Sequence, residues 1–259
     1  MGYRHSANSL VSALAALAVL AIAHAQTGGR PLSIVPAVDD APTKAHDYDW
    51  LARHDQVLAR EKAGGAGMLM IGDSITHLWG GEPDDPRHAR ANDLWDTYFR
   101  PRNAVNLGFG WDRTQHVLWR FDHGELDGIH PRVAVIMIGT NNMGDSAEDI
   151  TAGITEIVHT VRKKLPRTKI LLLGIFPRDH EAETANRKKI LDVNQRISAL
   201  GKERNITFLD FGSKFLQPDG TLSPDIMPDY LHPNHTGYEL WAREMEPTLA
   251  KLYGDKPRG

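Results

Sequence analysis

Five short apolar runs limit what this chain can fold into: Met68–Ile71, Ala104–Leu107, Val133–Ile138, Ile170–Ile175 and Ile206–Phe211. Each is too short for a helix, and most are apolar at successive rather than alternate positions, the mark of a strand buried on both faces. Between them apolar residues recur every three or four positions. Ile150, Ile154, Ile157, Val158, Val161 and Leu165 form one such stripe, stopped by Pro166. Ile190, Asn194, Ile197 and Leu200 form another, ended by Gly201; Tyr238, Leu240, Trp241, Met245 and Leu249 form a third. A helix from Trp50, with Leu51, His54, Val57 and Leu58 on one face, stops at Gly64-Gly65. Doubly buried strands alternating with helices make a parallel sheet covered on both sides. The expectation is an α/β domain, a three-layer α/β/α sandwich around a five-stranded parallel sheet.

The first residues do not fit that scheme. Arg4 and His5 precede an apolar core, Leu10–Ala23, which leads into Ala23-His24-Ala25. A basic start, a short apolar core and an A-x-A exit describe a secretory signal cleaved after Ala25. The core is shorter than the ~20 residues a membrane span needs, so no transmembrane anchor is expected. With no cysteine at the new end, a lipoprotein anchor is excluded too. Residues 26–48 carry prolines and glycines without periodicity, and read as an arm or linker ahead of one domain over 49–259. Export to the periplasm or the extracellular space is the expected consequence.

A composition with 41% apolar and 24% charged residues suits one globular domain. The net charge of −3 gives no electrostatic reason to bind nucleic acid. The absence of cysteine removes disulfides, thiolate catalysis and cysteine-ligated zinc.

In open α/β sheets, sites form where loops leave the carboxyl ends of strands. After the first run comes Gly72-Asp73-Ser74, after the second Gly108, after the third Gly139-Thr140-Asn141-Asn142, and beyond the fifth Asp229 and His232. A serine at a strand-to-helix turn presents its Oγ at the sheet edge, and its own N–H lies at a helix start, where a developing anion is favoured. Ser74 is therefore the candidate nucleophile. The second Gly-Asp-Ser, at 144–146, precedes Ala-Glu-Asp and reads as a helix cap, with Ser146 at the N-cap and Asp149 three residues on. His232 as base and Asp229 as its orienting carboxylate complete a triad. Gly108 and Asn141, with the Ser74 amide, are the candidate oxyanion donors. His235 makes an H-x-x-H with His232, but no further ligands for zinc are evident, so no metal and no cofactor are expected.

The blocks "IGDSIT", "NLGFG", "IGTNN" and "DYLHP" resemble the GDSL, or SGNH, hydrolases, in particular the catalytic subunits of brain-type platelet-activating-factor acetylhydrolase and their bacterial relatives. The resemblance implies a flavodoxin-like fold and a serine esterase acting through an acyl-enzyme. It carries Ser74, Asp229 and His232 over as the triad and Ser74, Gly108 and Asn141 as the oxyanion hole. The expected partner is a small-molecule or glycan ester, with acetylated carbohydrate leading and a lysophospholipase or thioesterase activity as the alternative. A silent glycan-binding domain is the rival outside the enzyme class, and a homodimer is left open. Two departures stand out. The segment Gly80–Asp93 lengthens the spacing from Ser74 to Asn106, and Trp111 stands where relatives often have a small residue.

Overall fold

The computed structural model describes residues 31–38 and 48–259. The expected signal segment and most of the arm lie outside the described residues. Five strands form: β1 (Met68–Gly72), β2 (Ala104–Gly108), β3 (Val133–Met137), β4 (Lys169–Leu173) and β5 (Ile206–Leu209). All pair in parallel, in the order β2-β1-β3-β4-β5. This is the flavodoxin-like order, and its switch point lies between β1 and β3.

The helices are α1 (Trp50–Gly64), α2 (Ser74–His77), α3 (Asn92–Tyr98), α4 (Thr114–Asp122), α5 (Ala147–Lys164), α6 (Ala185–Ile197) and α7 (His235–Tyr253). Strand residues alternate between two cores. Leu69, Ile71, Val105, Leu107, Ala134 and Ile136 pack with residues of α1, α4, α5 and α6. Met68, Met70, Val133, Val135 and Met137 pack with residues of α2, α3 and α7. β1 to β4 thus bury both faces, the reason their sequences show no polar alternation, whereas β5 at the sheet edge is only partly buried beyond Ile206. Two helices, α3 and α4, carry no stripe that the sequence periodicity marks. In α4, buried Gln115, His116 and Arg120 interrupt the apolar face.

The described part of the arm is docked. Leu32–Ile34 form a 3₁₀ turn in which Ser33 is buried, its Oγ donating to Asp149 O (2.6 Å) and its carbonyl accepting from Thr114 Oγ1 (2.9 Å). Side-chain hydrogen bonds thus tie residues of this part of the arm to α4 and α5, a contact that apolar patterning cannot reveal. Among the described residues no helix is long and apolar enough to cross a membrane.

Candidate active site

The turn after β1 explains its own sequence. Asp73 caps α2, its carboxylate accepting from Ile75 N at 2.9 Å and its carbonyl from His77 N at 2.9 Å. Burial pushes this carboxyl up to about 7, against the opposing pull of the Ile75 N–H and Arg178. Gly72 is needed for a close approach rather than for a tight bend: a Cβ there would stand 2.2 Å from Thr76 Oγ1 and 2.6 Å from Met137 O. Tyr238 of α7 donates to Ile75 O (2.7 Å) and pins the short helix from the other side.

Ser74 and the C-terminal loop meet across 158 residues: Ser74 Oγ lies 2.8 Å from His232 Nε2. On the other side of the ring, His232 Nδ1 is 2.6 Å from Asp229 Oδ2. Asp229 Oδ1 also accepts the backbone N–H of His232 (2.8 Å) and of Leu231 (3.1 Å), so the loop is wound around its own carboxylate. Partial burial raises the Asp229 carboxyl, but the hydrogen bonds from His232 outweigh it and hold the group below the ordinary carboxylate value. Immediately after His232 and Pro233, Asn234 caps α7 by accepting Gly237 N (3.1 Å). His235 faces elsewhere, its Nε2 being 2.9 Å from Asp93, so the two histidines of H-x-x-H do not converge.

Ser74, His232 and Asn141 border a cavity of about 390 Å³, with Gly110, Trp111 and His77 also in its wall. Asn141 donates one amide hydrogen to Asp112 O (3.0 Å), which leaves the second for another acceptor. Asn142 does a structural job: it accepts Thr114 N at the start of α4 (3.0 Å) and donates to Gln115 and Asp145.

Gly108, expected to offer an oxyanion donor, is not brought into this cavity. Its N–H donates to Asn106 Oδ1 (2.8 Å), and a Cβ at this position would meet His77 N at 2.2 Å. Gly108 is small so that α2 can pack on β2; a strand-end glycine looks the same in sequence whether it donates or merely makes room. The cavity wall comes instead from the next turn of the loop, Gly110 and Trp111. Trp111 holds a left-handed backbone (φ 68°), uncommon for so bulky a residue, with its side chain 58% exposed.

That loop is held from behind by residues that no sequence pattern pairs. Arg53 donates to Gly108 O (2.8 Å) and Asn106 O (3.3 Å). Arg120, fully buried, binds Asp112 (3.0 Å), Glu125 and Leu107 O (3.3 Å), while Trp50 Nε1 donates to Asp112 (2.7 Å). The two guanidiniums take up carbonyls where β2 ends, and Asp112 then offers its own carbonyl to Asn141. Burial pushes the Asp112 carboxyl up to about 7 against the pull of Arg120. Across the cavity, His77 is buried too, and desolvation together with the Arg53 cation pushes its imidazole down to about 4.

A parallel sheet of this order, with a hydroxyl, an imidazole and a carboxylate in series at its switch point, defines the hydrolase class that acts through an activated serine. The comparisons agree. The pattern of the GDSL-like Lipase/Acylhydrolase family matches residues 70–240. The human platelet-activating factor acetylhydrolase IB subunit alpha1 is 35% identical over 216 residues, covering 82% of this chain and 89% of its own. The rat alpha2 subunit is 32% identical over 233 residues, covering 90% and 96%. Among solved structures, a GDSL-like lipase from Bacteroides thetaiotaomicron has the same fold (TM-score 0.61, 20% identity, 77% of this chain and 98% of that one). So does an acetylxylan esterase from Geobacillus stearothermophilus (TM-score 0.56, 19% identity, 74% and 95%). The chain belongs to the GDSL-like lipase/acylhydrolase family and is a carboxylic ester hydrolase.

Proposed function

We propose that the chain is an exported esterase that removes acetyl or similarly short acyl groups from carbohydrate. The observation that carries the reading is the hydrogen-bonded series Ser74–His232–Asp229 opening on a cavity of about 390 Å³. Ser74 Oγ attacks the ester carbonyl as its proton passes to His232 Nε2; Asp229 holds the imidazole with Nδ1 protonated. The tetrahedral oxyanion is met by the Ser74 N–H, which the helix ladder does not use, and by the free hydrogen of the Asn141 amide. In place of Gly108 we assign the backbone N–H of Trp111, because the strained residue of a loop that lines the cavity is where a fixed donor is worth its conformational cost. The imidazolium then protonates the leaving alcohol, and water repeats the sequence to free the acid.

Two features favour sugar over a long-chain lipid. The exposed Trp111 ring at the rim can stack on a pyranose face, and Arg87, Arg90 and His88 set polar groups into a wall that also holds Leu78, Ala89 and Leu231. The acetylxylan esterase among the similar folds adds a parallel, and the platelet-activating factor acetylhydrolase subunits add one for the acetyl group. Initial rates on p-nitrophenyl esters of graded acyl length, beside acetylated xylan and a lysophospholipid, test the reading. Fastest turnover of acetyl esters, with acetate released from the xylan, is expected; preference for the lysophospholipid overturns it. Export rests on the segment before Gln26, and mass spectrometry of exported protein should find Gln26 first.

A further inference from the structure

His77 and His88 line the same cavity beside the Ser74–His232–Asp229 series, and Asp85 reaches between their rings. His77 closes α2, one turn after Ser74; Asp85 and His88 belong to the segment between α2 and α3. Asp85 Oδ2 stands between the two rings, 3.3 Å from His77 Nε2 and 2.8 Å from His88 Nδ1. One potential ligand atom from each residue falls within 4.8 Å of the others. His77 Nε2 is the informative atom. Its side chain is 3% exposed, and the atom has no aligned hydrogen-bond partner despite its distance from Asp85. A cation seated between that nitrogen and the Asp85 oxygen, 3.3 Å away, would be held by a lone pair from each.

We infer that His77, Asp85 and His88 form a binding site for a divalent transition-metal ion, with zinc the best match. Two imidazoles and one carboxylate suit zinc and its neighbours in the first row, whereas calcium and magnesium prefer oxygen donors throughout. Zinc–ligand bonds of about 2.0–2.2 Å in a tetrahedron put neighbouring ligand atoms roughly 3.3 Å apart, the scale of the contacts here. The ring edges also have support: the Tyr48 ring packs edge-on at 4.9 Å from His77 and 6.1 Å from His88. Tyr48 itself is engaged with Gly110 O (3.0 Å) and is not needed as a ligand. Three protein ligands leave a fourth position for water or a substrate oxygen, and the ion ties the segment after Gly80 to the helix that carries Ser74.

Chelator-stripped protein titrated with zinc chloride in a calorimeter tests the site, with cobalt(II) as the spectroscopic probe. One equivalent should bind, cobalt should show the intense visible bands of low coordination, and zinc should raise the unfolding temperature. His88→Ala and Asp85→Asn, both at partly exposed positions, should each weaken zinc at least about 10- to 100-fold. His235→Ala, which removes the exposed pair with Asp93, should leave zinc binding as it was. Zinc bound no more tightly by the parent than by a variant carrying both Asp85→Asn and His88→Ala overturns the assignment. So does binding lost in His235→Ala and kept in His88→Ala. The readout is binding itself, so the result is independent of whether the esterase acts on carbohydrate.

Discussion

The tripeptide Gly-Asp-Ser stands at residues 72–74 and again at 144–146, and the same three side chains do different work in the two places. In the first, Asp73 is the buried cap of a four-residue helix, and Ser74, the first residue inside it, reaches His232. In the second, the serine is the cap: Ser146 Oγ accepts Asp149 N (3.0 Å) at the start of α5, and Asp145 is drawn back to Asn142 (2.8 Å). A Cβ on Gly72 would strike side chain and backbone, whereas nothing lies within 4 Å of one on Gly144. The difference comes from the element before each copy. Gly72 ends a strand in the middle of the sheet, so the chain must turn sharply at the sheet edge. Gly144 comes after the loop from β3, already clear of the sheet.

The largest expected separation between the copies is catalytic. Ser74→Ala should lower kcat on the order of 10⁶-fold and abolish labelling by a fluorophosphonate, with unfolding little changed. Ser146→Ala should stay active and take the label. A label found on Ser146 breaks the comparison outright.

The loop between β3 and the second copy holds the next effect. Asn141→Ala should cost roughly 100- to 1000-fold in kcat, about 2.7–4 kcal/mol, with KM nearly constant, because an oxyanion donor acts mainly in the transition state. Asn142→Ala should show the reverse pattern, a loss of stability at the start of α4 with the smaller effect on kcat. If Asn141→Ala instead keeps kcat and raises KM, Asn141 is a binding residue.

Much of this was legible in the sequence, for physical reasons that also mark where legibility ended. Most of the strands could be read because burial on both faces leaves largely apolar runs, as in β1, β3 and β4. Ser74, Asp229 and His232 could be read because each comes after a strand, where functional loops gather. The place of Gly108 behind the cavity wall could not be read, because a glycine that makes room for α2 and one that offers its N–H have the same letter. The ties of Arg53 stayed hidden because its partners lie far off in sequence, 55 residues away in the case of Gly108; those of Arg120 to Asp112 and Glu125 stayed hidden because they leave α4 at both ends, where helix periodicity no longer relates positions. Buried charge also obscured α4, whose inner face is too polar to register as a stripe.

Gly72→Ala and Gly144→Ala sharpen the comparison at the backbone. The new methyl at 72 is crowded by Met137 O, which cannot swing away, so a loss of about 1–3 kcal/mol or more is expected in chemical denaturation. At 144 the change should be within about 0.5 kcal/mol.

Asp73→Asn turns the same contrast into a pH dependence. In the folded protein Asp73 titrates at about 7 rather than 3.8, so the folded state keeps a proton that the unfolded chain releases. Parent stability should therefore fall as pH rises from about 4 to about 7, and this contribution should be constant above that. Asparagine can still cap α2 but does not ionise. The variant should gain on the parent across that window by upward of about 1 kcal/mol. A constant difference from pH 4 to pH 8 would mean that Asp73 is not held against ionisation.

The smallest effect belongs to Ser146 as a cap. Four N–H groups at the start of a helix lack partners within it, and Ser146 satisfies that of Asp149. Its backbone is extended (φ −71°, ψ 159°), as an N-cap requires, so alanine keeps the conformation and loses only the acceptor. The site is exposed, and water can replace part of what is lost. Ser146→Ala should therefore cost about 0.5–2 kcal/mol, and Ser146→Asp should cost less, because a carboxylate can accept the same bond and favours the positive end of the helix dipole. The acidic residues already in the first turn, Glu148 and Asp149, limit that benefit by repulsion. Raising the ionic strength should screen the repulsion and bring Ser146→Asp closer to the parent. If alanine and aspartate destabilise α5 equally at high salt, the second Gly-Asp-Ser is not acting as a cap.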